Sequence, residues 1–146
     1  MSNGSFYDEI LIDHNLHPLH KAPLPDATHT HEGVNPSCGD DIVLHLKVED
    51  GIITGGTFEG SGCAISQASA DIMLDLVTGK TVEEARRLSG LFTRMIRGEA
   101  TEEEIDELED GCALKDISHM PARVKCALLG WRTLEEIFSG PAEDAH

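Results

Sequence analysis

Basic residues are scarce in this chain: 11 Lys and Arg stand against 27 Asp and Glu, a formal net charge of −16. So acidic a surface repels the phosphates of nucleic acids and anionic lipid headgroups alike, which excludes both as partners. Aromatics are scarcer still, with one Trp, one Tyr and four Phe. The core therefore has to come from Leu, Ile, Val, Met and Ala, a composition that suits amphipathic helices packed on a small sheet. No apolar run approaches the roughly 18 residues a membrane span needs, and the opening MSNGSFYDEI has neither the basic start nor the apolar stretch of an export signal. The expected setting is the cytoplasm, where structural disulfides are disfavoured. Cys38, Cys63, Cys112 and Cys126 include no C-x-x-C pair, so any site they make has to be assembled by the fold. The 146 residues suffice for a single domain with one core, and no repeat or low-complexity linker divides them.

What is present sorts into elements by its periodicity. Ser5, with Asp8 three residues on, reads as the cap of a short helix over residues 5–15. Prolines 18, 23, 25 and 36 and several histidines crowd the next stretch, which reads as extended or looped with one short strand near Thr28–Val34. Asp41 to Val48 alternates apolar and polar residues, Glu49-Asp50-Gly51 turns the chain, and Ile52 to Glu59 is rich in strand formers. A hairpin is expected there. Gly60-Ser61-Gly62-Cys63 is a glycine-loosened turn into a helix from Ala64 to Val77, with Ile65, Ala68, Ile72 and Leu76 on one side and Gly79 as its stop. Thr81 with Glu84, and Thr101 with Glu104, carry the capping-box pattern and open a helix to about Ile96 and a shorter acidic one. Pro121 suits the first position of a last helix whose Val124, Leu128, Trp131, Leu134 and Phe138 share a face. The tail over 139–146 reads as frayed. The expected class is α+β, a small antiparallel β-sheet of about three strands packed by several α-helices.

A thiol in a turn such as Asn35-Pro36-Ser37-Cys38-Gly39-Asp40 adds nothing to a core and is open to reaction. Cys38 and Asp40 precede the first hairpin strand and Cys63 follows the second, so an antiparallel hairpin returns all three to one end of the sheet. At a helix start, Cys63 would have its thiolate favoured. On the last helix Cys126 is offset from the apolar stripe and shares a face with Arg123, three residues earlier. If that helix packs beside the hairpin end, Cys38, Asp40, Cys63 and Cys126 make a three-sulfur, one-oxygen set that zinc accepts, and iron in a cluster takes thiolates too. Plainer readings stand beside these. Cys38-x-Asp40 also fits an Asx-type turn, Cys63 a small buried hydrophobe, and Arg123 a surface ion pair. Cys112 reads as structural, and the histidines of Thr28-His29-Thr30-His31, on one strand face, as surface groups rather than ligands. The acidic run from Glu99 to Asp110 reads as a solvated helix face.

Taken together, Asn-Pro-Ser-Cys38-Gly-Asp40, Gly-Ser-Gly-Cys63-Ala-Ile-Ser and Arg123-Val-Lys125-Cys126-Ala-Leu-Leu-Gly-Trp131 resemble, in order, the three cysteine motifs of the IscU/SufU (NifU N-terminal-like) family of iron-sulfur assembly proteins. The resemblance runs from Ile10-Leu11-Ile12-Asp13-His14 to the last helix, and it implies that Cys38, Asp40, Cys63 and Cys126 are ligands. Two features resemble the SufU branch. Lys125 stands where IscU scaffolds usually have a histidine, and the stretch over about 92–119, which holds Cys112, looks like the segment that SufU-type chains add. What the resemblance implies is zinc-dependent sulfur transfer, in which Cys38 accepts a persulfide sulfur from a SufS-type cysteine desulfurase whose own histidine displaces Cys38 from zinc. The sulfur then goes to downstream iron-sulfur assembly machinery, with Arg123 orienting or charge-balancing the anionic site. The competing function is a scaffold that assembles and transfers a [2Fe–2S] cluster on the same ligands, and a third is a zinc site that is structural only.

Overall fold

In a computed structural model that describes residues 2–36 and 39–144, with side chains over 9–36 and 39–139, the alternating stretches form a meander. Strands β1 (His29–Asn35), β2 (Asp40–Glu49) and β3 (Ile52–Ser61) pair antiparallel in that order. The central strand β2 shows why. Ile42, Leu44 and Leu46 point inward and are fully buried, while Asp41, Val43, His45 and Lys47 lie on the other side, half-buried. Period two places Asp40 on the same inward face, and it too is fully buried. A carboxylate therefore occupies a core position at the strand's first residue.

The helices are α1 (Ser2–Leu16), α2 (Ala64–Val77), α3 (Val82–Ile96), α4 (Glu102–Asp106) and α5 (Pro121–Asp144), with a 3₁₀ segment over Glu109–His119. Helix α2 is the central one. It is buried around most of its girth, from Ser66 to Val77, between the sheet, α1 and α5. Helix α5 packs on α2 and β1, and its Trp131 stacks on Phe92 of α3 with ring centroids 4.8 Å apart. Among the described residues no helix is long and apolar enough to cross a membrane.

Several expectations change in detail. Helix α1 starts at Ser2, so Ser5 lies within it instead of capping it. Thr81 caps α3 by accepting from the Glu84 N–H, but the Glu84 carboxylate turns to Arg87 and leaves the box half-made, whereas Thr101 and Glu104 complete theirs. The helical backbone of α5 runs on through Asp144, past the point where the sequence suggests a frayed tail. The stretch over 92–119 begins inside α3, and its 3₁₀ part buries Ala113, Leu114 and Ile117 after the buried Leu108. Only part of that acidic stretch is a solvated face. Arg87 holds Glu107 and Arg94 holds Glu104, each at 2.7 Å, tying it to α3.

Candidate metal centre

The hairpin end carries the chemistry. A carboxylate oxygen of Asp40 and the sulfurs of Cys63 and Cys126 all lie within 4.8 Å of one another. They come from three separate elements: the first residue of β2, the residue before α2, and the second turn of α5. Cys38, expected as the fourth member, lies outside the described residues, and the strands that flank it meet at the paired Asn35 and Asp40. Among the described residues the three form the group whose spacing suits a metal ion, and the histidines do not join it. His31 instead pairs with Glu136 at 2.8 Å, and the His29 ring sits 6.1 Å from that of Phe138.

Local sequence explains how each group is held. Cys63 is the N-cap of α2, in extended conformation, and its sulfur accepts the Ser66 N–H at 3.4 Å. A helix start with unsatisfied N–H groups favours negative charge on that sulfur. The Cys63 N–H donates to Asp40 Oδ1 at 2.8 Å, which fixes one carboxylate oxygen. This closeness needs the glycines of the turn. Gly60 has φ +120° and a side chain there would meet the Asp41 carbonyl, while a Cβ on Gly62 would come 2.8 Å from Asp40 Oδ1 and 2.5 Å from Ser66 Oγ.

The other carboxylate oxygen, Asp40 Oδ2, is buried with no hydrogen-bond partner. A buried carboxylate left half-satisfied is costly. A thiol is only a weak donor, so two of them nearby relieve that cost poorly; a cation joining the three groups would relieve it well, and a sulfur-rich, mixed sulfur and oxygen donor set is one that zinc or cluster iron takes. The residues present thus fit a thiophilic metal.

Two placements differ from expectation. Cys126 is fully buried, not on a face turned away from the core, because α5 is covered by both α2 and β1. Arg123 is exposed, and among the described residues its guanidinium makes no ion pair, so the surface-pair reading has no partner. Cys112 is half-buried, and burial together with nearby Asp110 raises its thiol pKa.

A second buried polar centre was not anticipated. His14 of α1 bonds Asp71 of α2 through Nδ1 at 2.7 Å and Asp110 through Nε2 at 3.0 Å, and the His20 N–H donates to the other oxygen of Asp71 at 2.8 Å. Burial pulls the His14 pKa down, but the two carboxylates outweigh it and the pKa is raised. His14 lies near the end of the first helix, and nothing in its spacing announces Asp71 or Asp110 as its partners.

The chain matches the model of the NifU-like N-terminal domain over residues 6–137. It is 45% identical over 130 residues to the iron-sulfur cluster assembly scaffold protein IscU of Thermotoga maritima, covering 89% of this chain and 90% of that protein. To the zinc-dependent sulfurtransferase SufU of Bacillus subtilis it is 39% identical over 132 residues, 90% and 88% of the two chains. A crystal structure from Fervidobacterium islandicum AW-1, assigned to the SUF system as a cluster assembly scaffold, superposes with a TM-score of 0.84 at 34% identity, over 90% of this chain and 95% of that one.

Proposed function

Because the chain belongs to the NifU-like N-terminal domain family, with IscU and SufU iron-sulfur cluster assembly proteins as its relatives, we propose that it is a zinc-dependent sulfur-transfer protein. Asp40, Cys63, Cys126 and Cys38 are its metal ligands, and Cys38 is its persulfide acceptor. The observation that carries this is Asp40: fully buried, with a carboxylate oxygen within 4.8 Å of two sulfurs, Oδ1 held by the Cys63 N–H and Oδ2 without a hydrogen-bond partner among the described residues. Bound zinc supplies positive charge that keeps the cysteines as thiolates, and it does no redox chemistry.

The donor is a cysteine desulfurase of the SufS type, carrying a persulfide. The Cys38 thiolate attacks the terminal sulfur; a new S–S bond forms at Cys38 as the donor's S–S bond breaks, and the donor cysteine leaves as its thiolate. The proton on the moved sulfur travels with it, and no net electrons are exchanged. Arg123, exposed and without an ion-pair partner among the described residues, balances the anionic sulfur during transfer. The sulfur passes on to downstream iron-sulfur assembly. Two features support transfer over scaffolding: the similarity to a zinc-dependent sulfurtransferase, and Lys125 in the position before Cys126. The 45% identity to a cluster assembly scaffold favours the second reading, a [2Fe–2S] cluster built on the same ligands.

Native mass spectrometry of protein purified anaerobically without added metal separates the two. One zinc per chain is expected, and an iron-sulfide adduct in most molecules would put the scaffold first. In the same system Cys38→Ala is expected to keep the fold and abolish stimulation of the desulfurase; stimulation at the wild-type level would overturn the acceptor assignment. Arg123→Ala is expected to keep zinc and slow sulfur acceptance, and acceptance at full rate would remove Arg123 from the mechanism.

A further inference from the structure

The peptide group between Gly62 and Cys63 is held from both sides. Its N–H donates to Asp40 Oδ1 at 2.8 Å, and its carbonyl accepts from Gln67 Nε2 at 3.0 Å. Gln67 Oε1 in turn accepts from Lys21 Nζ at 2.5 Å. The orientation of the Gln67 amide is decided by its neighbours, since a lysine ammonium only donates and a backbone carbonyl only accepts. Lys21 is itself placed by the strand-like segment that pairs with β3, where the Phe58 N–H donates to the His20 carbonyl and the Ala22 N–H donates to the Phe58 carbonyl.

This peptide has reason to need holding. Gly62 on one side of it, and Gly60 two residues before, give the turn little resistance to rotating the peptide. A rotated peptide would withdraw its N–H from Asp40 and turn a carbonyl dipole toward the buried carboxylate. The donor from Gln67 penalises that rotation. It also polarises the peptide, because a carbonyl that accepts a hydrogen bond makes the N–H of the same amide a stronger donor. The bonds all point one way, from the Lys21 ammonium through Gln67 and the peptide to the Asp40 carboxylate.

We infer that Gln67, with Lys21 behind it, is a positioning residue for the metal centre: it locks the Gly62–Cys63 peptide, whose N–H holds Asp40 Oδ1 and so keeps the carboxylate in place among the ligands. The inference rests on the zinc reading of that centre. Gln67 follows Cys63 by one helical turn and touches no ligand atom, so no cysteine motif announces it. Lys21 is exposed, and its share is the smaller one because water screens its charge.

The test measures zinc affinity by competition with a chromophoric chelator in wild type, Gln67→Leu, Gln67→Glu and Lys21→Met, together with the amide proton shift of Cys63 by NMR. Gln67→Leu keeps the bulk and loses the donor; Gln67→Glu keeps the shape but faces the carbonyl with a carboxylate. Zinc binding about tenfold weaker is expected for Gln67→Leu, within the range usual for partners of metal ligands, and a larger loss for Gln67→Glu. Lys21→Met should weaken zinc by less than either. The Cys63 amide proton should move upfield in both Gln67 variants even without metal, a shift that a packing role would not produce in the near-isosteric Gln67→Glu. Wild-type affinity in both Gln67 variants, or a loss of affinity with the Cys63 amide unmoved, would overturn the inference alone. A wild-type protein that binds no zinc would overturn the zinc reading and the inference with it.

Discussion

Among the described residues two aspartates are fully buried, and they are treated in opposite ways. Asp71, in the middle of α2, has both oxygens engaged, one by the His14 ring and one by the His20 N–H. Asp40, at the start of β2, has one oxygen engaged and the other without a hydrogen-bond partner among the described residues, in a carboxylate that lies within 4.8 Å of two sulfurs. Burial costs each carboxylate its water. At Asp71 the protein itself makes good the loss, and the product is a clamp among α1, α2 and the 3₁₀ segment. At Asp40 the protein stops short, and the deficit is one that a cation would relieve. For these two carboxylates, the complete hydrogen-bond set belongs to a clamp between elements, and the incomplete one lies beside the two cysteines.

The sharpest way to break this contrast is to delete each carboxylate. Asp71→Ala leaves His14 buried with only Asp110, and breaking a buried pair of this kind costs about 3 kcal/mol. Urea unfolding of the metal-free protein should show it as a lower midpoint with the slope unchanged. Asp40→Ala in the same assay should cost no more than about 1 kcal/mol, since the lost Cys63 N–H bond is offset by removing an unsatisfied oxygen. An equal loss in the two variants would end the distinction.

Chelating the metal should reverse the ranking. Wild type at zinc about a hundredfold above its dissociation constant gains roughly 2.7 kcal/mol from binding, which a strong chelator removes. The Asp40→Ala protein should show little chelator-dependent shift in its melting temperature, and Asp71→Ala should keep most of its shift.

A smaller effect follows from the raised pKa of His14. A raised pKa in the fold means that the protonated form is the one stabilised, so the contribution is fully present below the ordinary histidine value of about 6.5 and is lost as pH climbs through the raised one. Glu9 and Asp13 of α1 share with His14 and Asp110 a cavity of about 190 Å³, so acidic side chains face the imidazole from α1 and from the 3₁₀ segment. The melting temperature of the metal-free protein should therefore decline above about pH 6.5, and His14→Gln should flatten that part of the profile. A profile left unchanged by His14→Gln would show that folding does not shift the His14 pKa.

Least of all is expected from the exposed ion pairs of the acidic stretch. Arg94→Ala breaks the contact with Glu104 at the surface, where screening leaves such pairs little worth, and urea unfolding should register no measurable change. A clear loss there would mean that the stretch is anchored by charge and not by Leu108, Leu114 and Ile117.

Much of this was legible in the residues alone. Alternation from Asp41 to Val48 announces the strand, though not that it begins at Asp40 and buries that carboxylate, and the glycine-loosened turn before an apolar helical run announces Cys63 at a helix start. The hairpin that returns Asp40 to Cys63 follows from the turn at Glu49-Asp50-Gly51. These are local or period-based properties, which a chain expresses wherever its neighbours lie. What only the tertiary structure decided is of another kind. Cys126 is buried because α5 is covered on two sides, and a single apolar stripe cannot report a second one. His14 meets Asp71 and Asp110 across 57 and 96 residues of chain, and Gln67 becomes a clamp only because the Gly62 carbonyl faces it. Sequence spacing carries the direction in which a side chain leaves its own backbone; which foreign group waits there depends on packing between elements, and that exists only once the chain has folded.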